Sequence, residues 1–217
     1  MTDALAELRA GAEDFLLIIL SSPSGAGKTT LCNRLRKEFP QLAFSVSHTT
    51  RKPRAGEQDG REYHFVDVPR FREMVDAQAF AEWAEVHGNY YGTSLREIEL
   101  ARANKSSGVL FDIDYQGARQ IRATVPEAIA IFILPPSMEE LERRLHTRAS
   151  DDEATVQKRL AKAKLEIENY GLFDYLVVND DLERAYDRLR AVMLAESARR
   201  SRKAPLAETL LRSGRVV

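Results

Sequence analysis

The 217-residue chain predicts a doubly wound α/β protein: a parallel five-stranded sheet core with a smaller mixed α/β subdomain inserted into it. Three observations carry that expectation. Continuous apolar, β-branched runs recur with helix-patterned segments between them, as in a parallel sheet covered on both faces. A glycine-bearing loop joins the first such run to the first helix. One middle stretch, Arg61 to Thr93, abandons the long runs for short mixed ones.

In chain order, Phe15-Leu16-Leu17-Ile18-Ile19-Leu20 predicts a buried strand, and Thr30 to Lys37 a helix with Leu31 and Leu35 inward. Phe44-Ser45-Val46-Ser47, Val109 to Asp114, Ala128 to Leu134 and Tyr175 to Asn179 predict the other four strands. A helix should begin at Ser137, whose hydroxyl and Glu140 three residues on make a capping box, with Leu141 and Leu145 as its apolar stripe. Val156, Leu160, Ala163 and Ile167 mark the next helix, and Leu182, Ala185, Leu189 and Val192 another. In the inserted part, Tyr63 to Val66 and Phe80 to Val86 read as short strands, with Pro69 opening a helix that runs through Met74. Beyond Ala198 the chain is rich in Arg and Lys and reads as a mobile or loosely docked tail of solvated charge.

Composition excludes more than it selects. Charged residues make up 30% yet leave a formal net charge of −1, so no global polycation suggests nucleic acid as a partner. One cysteine, Cys32, cannot form an intrachain disulfide, which favours a reducing compartment; its helical place suggests a packed residue, not a reactive thiol. Met1 to Asp14 bears acids unlike a signal peptide, and the Phe15 run is too short to span a bilayer. A cytoplasmic protein with no membrane partner is the expectation. His48, His64, His87 and His146 lack metal-ligand spacing, so no structural zinc is expected.

The loop Ser22-Pro23-Ser24-Gly25-Ala26-Gly27-Lys28-Thr29 nearly spells a nucleoside-triphosphate cradle, with Ser22 where glycine is usual. Gly25 and Gly27 let backbone N–H groups close on an anion, and the following helix N-terminus adds donors and a positive dipole end. Lys28 would meet the β- and γ-phosphates, and Thr29 would ligate Mg²⁺ directly. Ser22 through Thr30 are therefore the candidate ATP site, with Asp112 at a strand end as a carboxylate reaching the metal through water. Further on, Arg51 and Arg54 flank Pro53 on a stiffened turn, an arrangement that suits a phosphate dianion. Asp59-Gly60-Arg61-Glu62-Tyr63-His64-Phe65, Glu82-Trp83-Ala84-Glu85 and Gly88-Asn89-Tyr90-Tyr91-Gly92-Thr93 follow.

With these motifs in this order, the chain from about Phe15 to about Arg200 resembles the guanylate kinases. The resemblance implies a P-loop kinase domain over 14–201, with a core of 14–43, 94–143 and 164–201, a GMP-binding subdomain at 44–93 and a helical lid at 144–163. Residues 1–13 and 202–217 would be an extension and a basic tail. It implies that Arg51, Arg54, Tyr63 and Tyr91 hold the GMP phosphate, and that Ser47, Glu82, Thr93 and Asp114 read guanine, near Asp112. Arg144, Arg148 and Arg159 would act from the lid with Lys28 and Arg51 in catalysis, and Asn179 would touch the adenine side or cap the next helix. Family members often carry serine at the place of Thr93, a change that keeps the hydroxyl.

The residue types suit that chemistry. Glu82 as a carboxylate only accepts, matching the N1–H and N2 donors of guanine, with Asp114 available to the amino group, while Ser47 and Thr93 can donate to O6. Adenine would set a lone pair against Glu82. The activity implied is Mg²⁺-dependent transfer from ATP to GMP or dGMP, giving ADP and GDP for guanine nucleotide supply. The alternatives are a phosphopeptide-binding module on the same scaffold, expected to lack Lys28 and the lid arginines, and a ribose-phosphate kinase, against which the base-reading set argues. Tyr90 is either a packing aromatic or a second site tyrosine.

Overall fold

The computed structural model describes residues 15–86, 88–148 and 152–215, apart from the Arg148 side chain. The residues 1–13 read as an extension, and His87, lie outside the described residues.

The apolar runs assemble into one parallel sheet of β1 (Leu16–Ser21), β2 (Leu42–Phe44), β7 (Gly108–Asp112), β8 (Ile129–Leu134) and β9 (Tyr175–Val178), in the order β2-β7-β1-β8-β9. Helix α1 (Lys28–Glu38) and α7 (Leu182–Ser197) cover one face; α3 (Leu95–Ala103) and α4 (Tyr115–Thr124) cover the other. Alternate residues of β1 serve the two cores: Ile18 and Leu20 pack with Leu31, Leu35 and Leu189, while Leu17 and Ile19 pack with Ile98, Phe111 and Ile121. Having no polar face is what made β1 legible as a continuous run.

The insert forms a second sheet in the order β4-β3-β6-β5, from β3 (His48–Thr49), β4 (His64–Phe65), β5 (Phe80–Val86) and β6 (Asn89–Ser94), with α2 (Val68–Asp76) packed on it. Pro69 lies in the first turn of α2, and Asp67 caps it by accepting from Arg70 N. Phe71, buried, stacks on Phe80 and Tyr90, so Tyr90 is a packing aromatic.

Helices α5 (Met138–Arg148) and α6 (Glu153–Glu168) pair through Leu141, Leu145, Val156, Leu160 and Ala163, a small core of their own. Ser137 Oγ accepts from Glu140 N at 3.1 Å, the serine half of the capping box, while the Glu140 carboxylate accepts from Arg143 and Arg144 instead.

Two expectations need correction. The run Phe44 to Ser47 is not one strand: β2 ends at Phe44, and the chain then crosses to β3 in the other sheet. The run Phe44-Ser45-Val46-Ser47 alternates apolar and polar as a half-buried strand does, and that period does not show where the chain leaves one sheet for another. The basic end is not a loose tail either, because Arg200–Ser213 forms helix α8. Arg202 is buried there, donating to Phe15 O at 3.3 Å, and the Arg102 guanidinium stands 4.9 Å from the Phe15 ring. Arginine stems bury readily while their charge is satisfied, so a basic composition did not mean solvation.

Candidate active site

The parallel register between β1 and β7 pairs Leu20 with Asp112, bringing that carboxylate level with the loop that leaves β1. This is the carboxyl edge of the sheet, where open α/β folds bind ligands. Gly25 and Gly27 take φ of 94° and 95°, left-handed conformations that L side chains resist, and Gly27 is the N-cap of α1. The loop closes on itself through Ala26 N to Pro23 O at 3.1 Å. Lys28 pairs with Asp112. Burial works against the lysine charge, but the Asp112 carboxylate outweighs it and holds the Lys28 pKa above its ordinary value. Cys32, one turn on, is buried, and burial pushes its thiol up to about 12, so it stays protonated and inert.

A cleft of about 810 Å³ runs from this loop to the small sheet. Lys28, Thr29, Ser47, Arg54, Tyr63, Glu82, Tyr91, Asp112 and Asp114 all line it. Residues from seven different elements and loops thus converge on one space.

On its far side, pairing of β5 with β6 sets Glu82 opposite Thr93 and Ala84 opposite Tyr91. Ser47 Oγ and Thr93 Oγ1 are 3.2 Å apart. Glu82 is 5% exposed, and burial pushes its pKa to about 7; the Asp114 charge adds to that, and hydrogen bonds from the Thr93 hydroxyl and N–H oppose it. Asp114 caps α4, its Oδ1 accepting from Gln116 N at 2.9 Å and Gly117 N at 3.1 Å. Tyr63 and Tyr91 meet edge to face at 5.9 Å, and the Arg51 guanidinium stands 5.3 Å from the Tyr63 ring.

Arg51 is fixed by a residue sequence reasoning passed over. Glu57 takes both oxygens to Arg51 Nη2 at 2.9 Å and also accepts from Arg54 N at 2.7 Å. The Arg54 N–H and the Arg51 guanidinium hold the Glu57 pKa below its ordinary value. Gly56, at φ 86°, makes the turn that brings it round. Its only sequence signal was an acid next to a glycine in a basic loop.

From the other side, Arg159 Nη2 donates to Ser24 Oγ at 2.6 Å. Arg144 donates to Glu140 at 2.7 Å and to Asn179 O at 3.1 Å. Arg143 lies on the surface, paired with Glu140 as ordinary helix charge. The side chain of Arg148, at the end of α5, lies outside the described residues. Lys162 of α6 also lines the cleft, a lid cation the sequence did not single out. Asn179 caps nothing: Asp181 caps α7, while Asn179 Nδ2 donates to Ala26 O at 2.7 Å, bracing the phosphate loop.

These parts match a known family. The guanylate kinase family model matches residues 15–196. The guanylate kinase of Nitratidesulfovibrio vulgaris is 56% identical over 182 residues, 84% of this chain and 87% of that protein. That of Myxococcus xanthus is 52% identical over 188 residues, 86% and 90% of the two chains. The crystal structure of guanylate kinase from Anaplasma phagocytophilum superposes with a TM-score of 0.75 at 34% identity, covering 93% of this chain and 96% of its own. This chain belongs to the guanylate kinase family.

Within a guanylate kinase the oxygen donors near Lys28 fit magnesium, since Thr29 offers a hydroxyl and Asp112 a carboxylate, both hard ligands. Among the described residues, donor atoms of Glu142, His146 and Glu153 lie within 4.8 Å of one another where α5 meets α6, a mostly exposed group of a kind common without an ion. No helix among the described residues is long and apolar enough to cross a membrane.

Proposed function

We propose that this chain transfers the γ-phosphoryl group of ATP to GMP, giving ADP and GDP, with dGMP as a second acceptor because no site residue identified here calls for the 2′-hydroxyl. The carrying observation is that a buried Glu82, flanked by Thr93, Ser47 and Asp114, opens on the same cleft as Lys28, Thr29 and Asp112. A carboxylate and hydroxyls at that depth suit a base with adjacent N–H donors and a carbonyl acceptor, which is guanine.

ATP lays its phosphates in the loop from Ser22 to Thr30, against the N–H groups of α1 and the Lys28 ammonium. Arg51 and Arg54, with the hydroxyls of Tyr63 and Tyr91, hold the phosphate of GMP. A phosphate monoester with a second pKa near 6 is already a dianion at neutral pH, so no general base is needed. One of its oxygens forms the new bond to the γ-phosphorus as the bond to the β-bridging oxygen breaks and ADP departs. Two anions must be brought into line, so catalysis is positioning and charge neutralisation. Arg144, Arg148, Arg159 and Lys162 approach from the lid, and their closure excludes the water that would otherwise hydrolyse ATP. Thr29 and Asp112 would hold magnesium, which when bound would supply positive charge against the triphosphate.

Lys28→Met tests this directly. Turnover should fall below detection while the melting temperature stays near that of the parent; near-parental turnover would remove the phosphate cradle from the account.

A further inference from the structure

We infer that Gly117 is a positioning residue for base recognition, because its missing side chain makes the room in which the Glu82 carboxylate sits. The inference rests on the reading of Glu82 as the guanine-facing acid.

Gly117 lies in the first turn of α4 with φ outside the left-handed region, so the backbone does not call for glycine. Alanine would be the better helix former there. Space calls for it instead. A Cβ at this position would stand 2.6 Å from Glu82 Oε2 and 3.0 Å from Glu82 Cδ, with Ile113 Cδ1 at 3.2 Å. Those distances are inside van der Waals contact, so something must move.

Glu82 has little freedom to yield. It is buried, and the hydroxyl and N–H of Thr93 donate to it. Its strand is tied to the same helix one turn further on: Trp83 N donates to Gln120 Oε1 at 3.1 Å, and Gln120 Nε2 donates to Trp83 O at 2.7 Å. Because β5 is an edge strand, the Gln120 amide pairs there as a neighbouring strand would. Asp114, Gly117 and Gln120, spaced three apart, thus form one stripe of a core helix laid against the base-reading strand. The depth at which Glu82 meets guanine is set by the core helix as well as by the subdomain that carries it.

Gly117→Ala tests the inference through separate kinetics for the two substrates. Displacing the carboxylate by a methyl radius should lower kcat/KM for GMP by about 10²-fold, while KM for ATP stays within about twofold and the melting temperature falls only modestly, as overpacking requires. In a Glu82→Ala background the same substitution should add less than about twofold, since nothing remains to displace. Parental GMP kinetics in Gly117→Ala would overturn the inference, as would equal losses for both substrates or a full additional loss in the double variant. If Gly117→Ala does not fold, recovery of folded protein in the double variant supports the same clash, and persistent misfolding refutes it. Parental GMP kinetics in Glu82→Ala alone would instead remove Glu82 from base reading, and this inference with it.

Discussion

Glu82 concentrates the conflict between stability and recognition in one side chain. Its pKa, about 7 in the folded chain against 4.5 for the free group, means that folding favours the protonated acid. The stabilising contribution of that proton is complete below pH 4.5 and is lost as pH rises through 7. Keeping Glu82 ionised at pH 8 costs about 3 kcal/mol relative to the unfolded chain. Glu82→Gln should therefore melt higher than the parent at pH 8, with the gap closing near pH 5; equal melting curves at both would mean the carboxylate is better solvated than its burial indicates. On the proposed reading, recognition runs the other way, since guanine's N–H donors call for the ionised form. In the parent, kcat/KM for GMP should fall as pH drops from 8 to 6, more steeply than in Glu82→Gln, with ATP parameters measured at saturating GMP as the control.

Helix termini organise the site at the next scale. Helix α1 begins at Lys28, where the proposed reading seats the triphosphate, and α4 begins at Tyr115 behind its cap Asp114, which fixes the helix that Glu82 rests on. Asp114→Ala should cost about 1 kcal/mol in urea unfolding, and Asp114→Asn much less, because asparagine caps as well as aspartate does. Equal losses would show that charge, not capping, is what Asp114 supplies. Helix α6 carries Arg159 to the loop, where it donates to Ser24. Arg159→Ala should lower kcat by about 10²-fold with the melting temperature and KM for GMP nearly unchanged. An intact kcat would make that contact structural. The strand, loop and helix around Lys28 were legible because their signals are local: an apolar run, glycines where φ must be positive, then a helical period. Glu57, Lys162, Gly117 and Gln120 were not legible. Lys162, Gly117 and Gln120 matter through segments distant in sequence, and Glu57 through an ion pair made inside one loop, and none of these residue types carries a mark of such a contact.

At the scale of the whole molecule, one parallel sheet presents its carboxyl edge to a cleft whose other walls are a small antiparallel-rich sheet and a pair of helices with their own core. Sequence reasoning found this division because the apolar periodicity changes at the insert. It missed the end of the chain, where α8 docks Arg202 beside Phe15, since basic composition resembles solvated surface. It also merged β2 with the crossing to β3, because the alternation of Phe44, Ser45, Val46 and Ser47 keeps the strand period across the break. On the proposed reading, the arrangement brings two nucleotide anions together, each held by cations from a different wall, with base selection at one end. The most direct measurement is ADP release by the purified chain with MgATP and each of GMP, AMP, CMP and UMP in turn. GMP alone should support rapid release, with formation of GDP in equal amount and the other three slower by about 10⁴-fold. Comparable release with AMP, or release without formation of GDP, would contradict the account.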